Sequence, residues 1–234
     1  MRAADRLIVA LDFTDAAPAL RMARRLRGLV RTVKIGSALF TACGPDIVRR
    51  VRALGFRVML DLKFHDIPST VELSCRSAAR QRVSLLTVHA SGGDDMLSAA
   101  VRGVREEAVR MRTAAPGVLA VTVLTSVGAD GARARREVLR LAQAAARAGC
   151  DGVVASAQEV PALRKRAGQR LTVVCPGIRI AHGVRGDQRR VATPAAALDA
   201  GADWLVVGRP ITGARDPRKA AQAILNEMKE VVGC

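Results

Sequence analysis

The sequence is poor in aromatic residues, with no tyrosine, one tryptophan and four phenylalanines. Proteins that bind single-stranded nucleic acid commonly stack bases on aromatic side chains, so this binding mode is disfavoured. The net charge of +17 would allow a surface that attracts polyanions. However, the arginines are spread along amphipathic stretches such as residues 21–29 and 49–55 and form no basic tail. We therefore expect a solvated arginine-rich exterior and no nucleic-acid partner, with a polyanion-attracting surface as the alternative.

Cysteine, histidine and long apolar runs are also scarce. The five cysteines and three histidines are scattered and include no C-x-x-C pair, so neither a zinc site nor a disulfide framework is predicted. The first apolar run, residues 7–11, stops at Asp12 and is too short for a signal-peptide core or a membrane span. The expected location is the cytoplasm, without a membrane partner.

Short β-branched runs alternate with longer amphipathic segments along the whole chain. This alternation is typical of βα units around a parallel sheet, and the length of 234 residues is near the roughly 250 of an eightfold barrel. No G-x-G-x-x-G motif follows the first strand, which disfavours a dinucleotide-binding fold. We predict an α/β protein, a (β/α)8 TIM barrel forming a single domain over residues 1–234. The predicted strands are residues 7–11, 32–36, 57–62, 85–90, 118–124, 152–156, 171–175 and 204–208.

Two of the intervening segments have clear helical stripes of apolar residues. Residues 46–54 and 137–148 repeat apolar side chains at helical spacing, which predicts one buried face for each helix. Gly55 and Gly149 follow these segments, and a glycine is a common stop after a helix.

Polar residues follow several predicted strands, where barrel enzymes place their chemistry. Asp61 and Lys63 are two residues apart in an extended segment, so we expect both to project to one side of the strand. Lys34 comes from the neighbouring strand. Opposite charges tolerate burial when they are paired, so the pattern predicts a prearranged charge network, or alternatively a structural ion-pair cluster at the rim. The candidate positions at strand ends are Asp12, Lys34, Asp61, Lys63, Thr125, Arg179, Gly208 and Arg209.

The segment DLKFHDIPST, residues 61–70, resembles the signature of orotidine 5′-monophosphate decarboxylases. A D-x-K-x-x-D pattern alone also occurs in related barrels, but here the resemblance extends over nearly the whole chain in order and spacing. Further matching segments are VALD (9–12), VKIG (33–36), VHASGG (88–93), VTVLTS (121–126), PGIR (176–179), GDQRR (186–190) and VVGRPIT (206–212).

The resemblance implies decarboxylation at C6 of the pyrimidine ring of orotidine 5′-monophosphate, giving uridine 5′-monophosphate without a metal or any other cofactor. Lys63 would give the proton to C6 and stabilise the developing negative charge. Asp61 would lie near the substrate carboxylate and disfavour it, or it would position the lysines. Lys34 and Asp66 would complete an array of alternating charges.

The resemblance also implies a homodimer with shared active sites. Asp66, Ile67 and Thr70 would reach into the site of the partner subunit across a symmetric interface.

The remaining matches are to ligand-binding positions. Asp12 would bind ribose hydroxyls, and Thr125 would read the pyrimidine edge. Gly208 and Arg209 would bind the phosphate, and Arg179 would contact the ligand. Gln188 would bridge phosphate and pyrimidine, within a polar loop at residues 180–190 that we expect to close as a lid.

Two other functions remain as alternatives. A magnesium-dependent sugar-phosphate decarboxylase or aldolase of the same barrel superfamily is disfavoured by Lys34, because an ammonium repels the metal. A non-catalytic polyanion-binding barrel is disfavoured because all the mapped family positions are filled. His65 and His89 are expected to be structural, and Cys175 lacks a histidine partner in its neighbouring motif.

Overall fold

The computed structural model describes residues 2–123, 131–168, 170–179 and 191–232. Within these ranges, eight parallel strands pair in chain order and β8 pairs with β1, which closes the barrel. The predicted (β/α)8 fold is therefore confirmed. The strands are β1 (Leu7–Ala10), β2 (Thr32–Gly36), β3 (Arg57–Phe64), β4 (Leu85–His89), β5 (Gly117–Val121), β6 (Gly152–Val154), β7 (Thr172–Cys175) and β8 (Trp204–Val207).

Helices follow the strands and cover the outside of the barrel. Both predicted helical stripes are confirmed: the helix at Asp46–Ala53 buries Ile47 and Val51, and the helix at Gly131–Arg147 buries Val138 and Leu141. The glycines that follow them, Gly55 and Gly149, adopt φ values of +92° and +79°. In the described ranges, no helix combines the length and apolar character needed to cross a membrane. The helices are α1 (Ala3–Arg6), α2 (Ala16–Leu26), α3 (Ser37–Cys43), α4 (Asp46–Ala53), α5 (Pro68–Arg80), α6 (Gly93–Met111), α7 (Gly131–Arg147), α8 (Val160–Ala167), α9 (Pro194–Asp199), α10 (Arg209–Thr212) and α11 (Pro217–Val232).

The interior of the barrel is filled by apolar side chains from alternate strand positions. Along β1, Ile8 and Ala10 belong to this inner cluster, whereas Leu7 and Val9 pack in the outer layer against the helices. This alternation follows from the two-residue period of a strand. Trp204 packs against the inner cluster. The other inner residues are Met59, Leu85, Leu119, Val174 and Val206.

Two aspartates fasten the end of the barrel at which the strands begin. The Asp151 carboxylate accepts a hydrogen bond of 2.8 Å from the backbone N–H of Val118. In the same way, Asp203 accepts one of 2.7 Å from the backbone N–H of Val173. These two hydrogen bonds tie neighbouring strands together at this end of the barrel.

Helix α5 is held closely against α6. A Cβ atom at Gly103 of α6 would lie 2.6 Å from the carbonyl oxygen of Glu72 in α5, so only glycine permits this approach. Glu72 also pairs with Arg76 and Arg102. The segment between β3 and α5 is thus anchored on both sides by well-packed elements.

Candidate active site

Four charged side chains form a continuous chain across the ends of β1, β2 and β3. The Nζ atom of Lys34 lies 2.9 Å from Oδ1 of Asp12 and 3.3 Å from Oδ2 of Asp61. The Nζ atom of Lys63 lies 2.9 Å from Oδ1 of Asp61. We call Asp12, Lys34, Asp61 and Lys63 the charge chain.

The charge chain is buried in its middle and accessible at its ends. The side chains of Lys34 and Asp61 are 12% and 11% exposed, against 36% for Lys63 and 62% for Asp12. Buried charges are tolerated only when paired and hydrogen-bonded, a condition that the inner pair meets. The outer ammonium and the outer carboxylate remain available to a ligand.

Pairing keeps both inner groups ionised. Burial raises the pKa of Asp61, but the charges of Lys34 and Lys63 outweigh it, so the pKa lies below its ordinary value. Burial lowers the pKa of Lys34, but the carboxylates of Asp61 and Asp12 outweigh it and the pKa lies above its ordinary value. At neutral pH the site therefore holds fixed positive and negative charges side by side.

The end of β3 is bulged, which corrects the expectation of a regular extended segment there. Leu60 pairs with Leu86 and Phe64 with Val88, so four steps along β3 match two along β4. Within the bulge Lys63 has a left-handed φ of 51°. Lys63 and Asp61 do meet, but through a bulge that re-aims the lysine rather than through simple strand alternation.

Two residues near the charge chain were missed by sequence reasoning. Thr87, fully buried in β4, hydrogen-bonds both the backbone N–H of Lys63 and the Asp61 carboxylate. A Cβ atom at Gly36 would lie 3.1 Å from the Lys34 Nζ atom, so a larger residue would crowd that ammonium. A hydroxyl among the apolar residues Leu85, Leu86 and Val88 of the strand was the available signal for Thr87.

The charge chain forms one wall of a cavity of about 490 Å³ at the open end of the barrel. This volume is in the usual range for small-molecule sites. Arg179, Gly208 and Arg209 line the same cavity. Gly208 directly precedes α10, and Arg179 is held by a backbone hydrogen bond of 2.9 Å to Ala192. The apolar lining consists of Ala10, Met59, Val121, Val123, Val154, Ala155, Pro176 and Val206.

A pocket lined by paired ammonium and carboxylate groups and by two arginines suits a small anionic ligand. The model of the "Orotidine 5′-phosphate decarboxylase / HUMPS family" matches residues 5–224. The chain belongs to this family.

Relatives within the family match over nearly their full length. A protein named orotidine 5′-phosphate decarboxylase from Moorella thermoacetica is 48% identical over 239 residues, covering 99% of this chain and 95% of the relative. One of the same name from Halorhodospira halophila is 50% identical and covers 95% of both chains. The crystal structure of orotidine 5′-phosphate decarboxylase from Lactobacillus acidophilus superimposes with a TM-score of 0.82 at 35% identity, covering 96% of this chain and 99% of that one.

Three residues after the bulge that the sequence analysis assigned to the partner subunit's site do not line the cavity of their own chain. Asp66, Ile67 and Thr70 are exposed, and Ile67 is 64% exposed. The Asp66 carboxylate accepts a hydrogen bond of 2.7 Å from the backbone N–H of Ile67. Of the other predicted site residues, Thr125, Gln188 and the expected lid at residues 180–190 lie outside the described residues.

The histidines and Cys175 beside the site differ from the charge chain in their environment. The rings of His65 and His89 are tilted by 41° to each other, with centroids 5.2 Å apart. Burial, together with the charges of His65 and Lys63, lowers the pKa of His89, which favours the neutral ring. Burial raises the pKa of Cys175 to about 12, so its sulfur stays a thiol and is a poor nucleophile.

Proposed function

We propose that this chain converts orotidine 5′-monophosphate to uridine 5′-monophosphate and carbon dioxide, a step of de novo pyrimidine biosynthesis. The observation that carries the proposal is the Lys34–Asp61–Lys63 array in a cavity that also contains Arg179 and Arg209. Relatives of this name that are 48% and 50% identical support it. The proposal treats residues 1–234 as one catalytic domain.

Lys63 is proposed as the proton donor. When the bond between C6 and the carboxyl carbon breaks, carbon dioxide leaves and the electron pair remains on C6. The accessible ammonium of Lys63 stabilises that charge and then transfers one proton to C6, and the amine recovers a proton from water. Asp61, 2.9 Å from the Nζ atom, fixes the direction in which this ammonium points.

The contacts of Asp61 support a positioning role over repulsion of the substrate. Its Oδ1 atom accepts from Thr87 and pairs with Lys63, and its Oδ2 atom pairs with Lys34. Because both oxygens already have cationic or hydroxyl partners, most of the carboxylate's charge is compensated. Asp61 thus organises two lysines, and its effect on the substrate carboxylate is secondary.

The nucleotide is proposed to lie across the cavity from the lysines to the arginines. Asp12, the most exposed member of the charge chain, binds the ribose hydroxyls. Arg209 and the backbone at Gly208 bind the phosphate, and Arg179 adds a ligand contact. Thr125 and Gln188 keep their proposed roles at the pyrimidine edge and between pyrimidine and phosphate.

The proposed reaction uses no metal and no organic cofactor. A magnesium ion, as in the rival sugar-phosphate enzymes, needs free carboxylate oxygens as ligands. Here the Lys34 ammonium lies between Asp12 and Asp61 and contacts both. A cation at this place would have to displace the lysine, which supports the metal-free mechanism.

We further propose a cytoplasmic homodimer in which each subunit completes its partner's site with Asp66, Ile67 and Thr70. Their exposure supports this, because covering the side chain of an isoleucine that is 64% exposed favours association with a partner. They also follow Lys63, which lines the cavity, by only three to seven residues along the chain. Neither a nucleic acid nor a membrane is part of the proposal.

An ultraviolet assay of orotidine 5′-monophosphate loss, run on protein treated with a strong chelator, tests the proposed function. We expect turnover with uridine 5′-monophosphate as product, unchanged by added magnesium. Lys63→Ala should remain folded and lose at least about 10³-fold in kcat. Absence of turnover by folded wild-type protein, or turnover only after magnesium is restored, would contradict the proposal. Salt-sensitive DNA retention without turnover would favour the polyanion-binding alternative.

A further inference from the structure

Thr87 lies directly opposite the bulge of β3. It is the one residue of β4 between Leu86 and Val88, the partners of Leu60 and Phe64. Its side chain is fully buried. Its Oγ1 atom lies 2.9 Å from the backbone nitrogen of Lys63 and 3.0 Å from Oδ1 of Asp61. A single hydroxyl group thus contacts both functional residues of β3.

The direction of both hydrogen bonds follows from the chemistry of the groups. A backbone N–H can only donate, so the Thr87 oxygen accepts from Lys63. The single hydroxyl hydrogen is then free to point at Asp61, which accepts it. A donor at this position favours the ionised carboxylate over the protonated one.

The backbone of Lys63 needs such a restraint. Its φ of 51° lies in a region that costs a non-glycine residue free energy and persists only where the surroundings enforce it. If the hydroxyl were removed, the Lys63 N–H would lose its partner and Asp61 would lose one of its donors. Both changes would loosen the direction of the Lys63 ammonium.

We propose that Thr87 is a positioning residue for the decarboxylation, and that its hydroxyl locks the Lys63 backbone and the Asp61 carboxylate into the one arrangement that aims the ammonium into the cavity. The inference rests on the proposed function of this site. Thr87 does not touch the ligand and acts only through Lys63 and Asp61. Small misplacements of a reacting group are costly in rate, so the effect should appear in kcat.

Thr87→Val removes the hydroxyl and keeps the shape of the side chain. We expect kcat to fall on the order of 10- to 100-fold, with little change in KM, because the phosphate contacts are untouched. The acid limb of the pH profile of kcat/KM should move to higher pH, because Asp61 loses the hydrogen bond donated by the Thr87 hydroxyl. The ionisable groups that interact with Asp61 in the described residues are Lys34 of β2, Lys63 of β3 and His89 of β4, and the substitution leaves all three in place.

Two further variants separate positioning from general loss of packing. Thr87→Ser retains the hydroxyl and should restore both kcat and the acid limb. Thr122→Val is the matched control, because Thr122 is also buried and donates to a backbone carbonyl, that of Val154, at 2.8 Å. It should lower stability without moving the acid limb.

Different results would contradict the positioning role of Thr87 and the proposed decarboxylation. If folded Thr87→Val turns over substrate normally with an unmoved acid limb, the positioning role is wrong. It is equally wrong if Thr87→Ser is as slow as Thr87→Val. Should the valine variant not fold, the smaller Thr87→Ala replaces it in the same comparison. Wild-type protein without turnover would refute the proposed function instead.

Discussion

Lys34 and Asp61 form the buried centre of the charge chain, with Nζ and Oδ2 3.3 Å apart and side chains only 12% and 11% exposed. Each residue comes from a different strand, so their contact couples the ends of β2 and β3. Because neither charge can be hydrated well, each depends for its ionisation on its charged partners, of which the other is one. The first two predictions test this dependence.

Lys34→Met should lower the stability of the protein as well as its catalytic activity. Removing one partner of a buried ion pair costs up to about 3–5 kcal/mol, and here Asp61 would keep Lys63 as its remaining cationic partner, so we expect a loss toward the lower end of that range. Urea denaturation with an unchanged m-value measures the loss. Lys219→Met, at an exposed lysine of α11, is the matched control and should change stability by less than about 0.5 kcal/mol. Equal stability of the two variants would show that the Lys34–Asp61 pair carries no such coupling.

The free energy of unfolding should depend on acid pH through Asp61. Despite burial, the charges of Lys34 and Lys63 hold the pKa of Asp61 below its ordinary value in the folded protein. The carboxylate therefore adds stability above its unfolded pKa of about 4, and this stability is lost as the pH falls through the folded pKa. Denaturation midpoints of wild type and Asp61→Asn between neutral and acid pH measure it. Parallel curves for the two proteins would contradict the pKa shift.

Arg209→Ala should mainly weaken binding of the nucleotide phosphate. The guanidinium gives a charge-assisted contact remote from C6, so we expect KM to rise more than kcat falls, with partial rescue by added guanidinium. Arg215→Ala, at an exposed arginine of the following turn, is the control. An unchanged KM in the Arg209 variant would refute the phosphate assignment.

Mixing two inactive variants should restore activity if the sites are shared. In a heterodimer of Lys63→Ala and Asp66→Asn subunits, one site carries both substitutions and the other carries neither. After full subunit exchange of equal amounts, about a quarter of the wild-type activity is expected, since half of the dimers are mixed and each has one intact site. If the mixture stays inactive while heterodimers are shown to form, Asp66 acts within its own subunit.

The sequence allowed the barrel to be predicted because its information is local. Each strand is a short β-branched run, and the charged residues at strand ends could be located from the order of the strands alone. The ends of the strands were predicted less accurately. The predicted strand 118–124 ends at Val121 in β5, and the predicted strand 57–62 extends to Phe64 in β3. At these ends, contacts to neighbouring strands decide the backbone conformation, and local patterns do not contain them.

The bulge at Lys63 and the role proposed for Thr87 were not predictable for the same reason. Thr87 is 24 residues from Lys63 along the chain, and only the pairing of β3 with β4 brings them together. Gly36 is a similar case, since its importance lies in the space next to the Lys34 ammonium. The exposure of Asp66, Ile67 and Thr70 likewise has meaning only relative to another subunit.

The apolar filling of the barrel interior also determines how products leave. Among the described residues, Ala10, Met59 and Val206 belong to that filling and line the cavity as well, and Val154 packs against it, so these side chains close the cavity toward the barrel interior. In the proposed reaction, carbon dioxide formed at the lysine end cannot drain through the barrel axis. We therefore expect the gas to leave through the open end of the barrel, where the substrate enters.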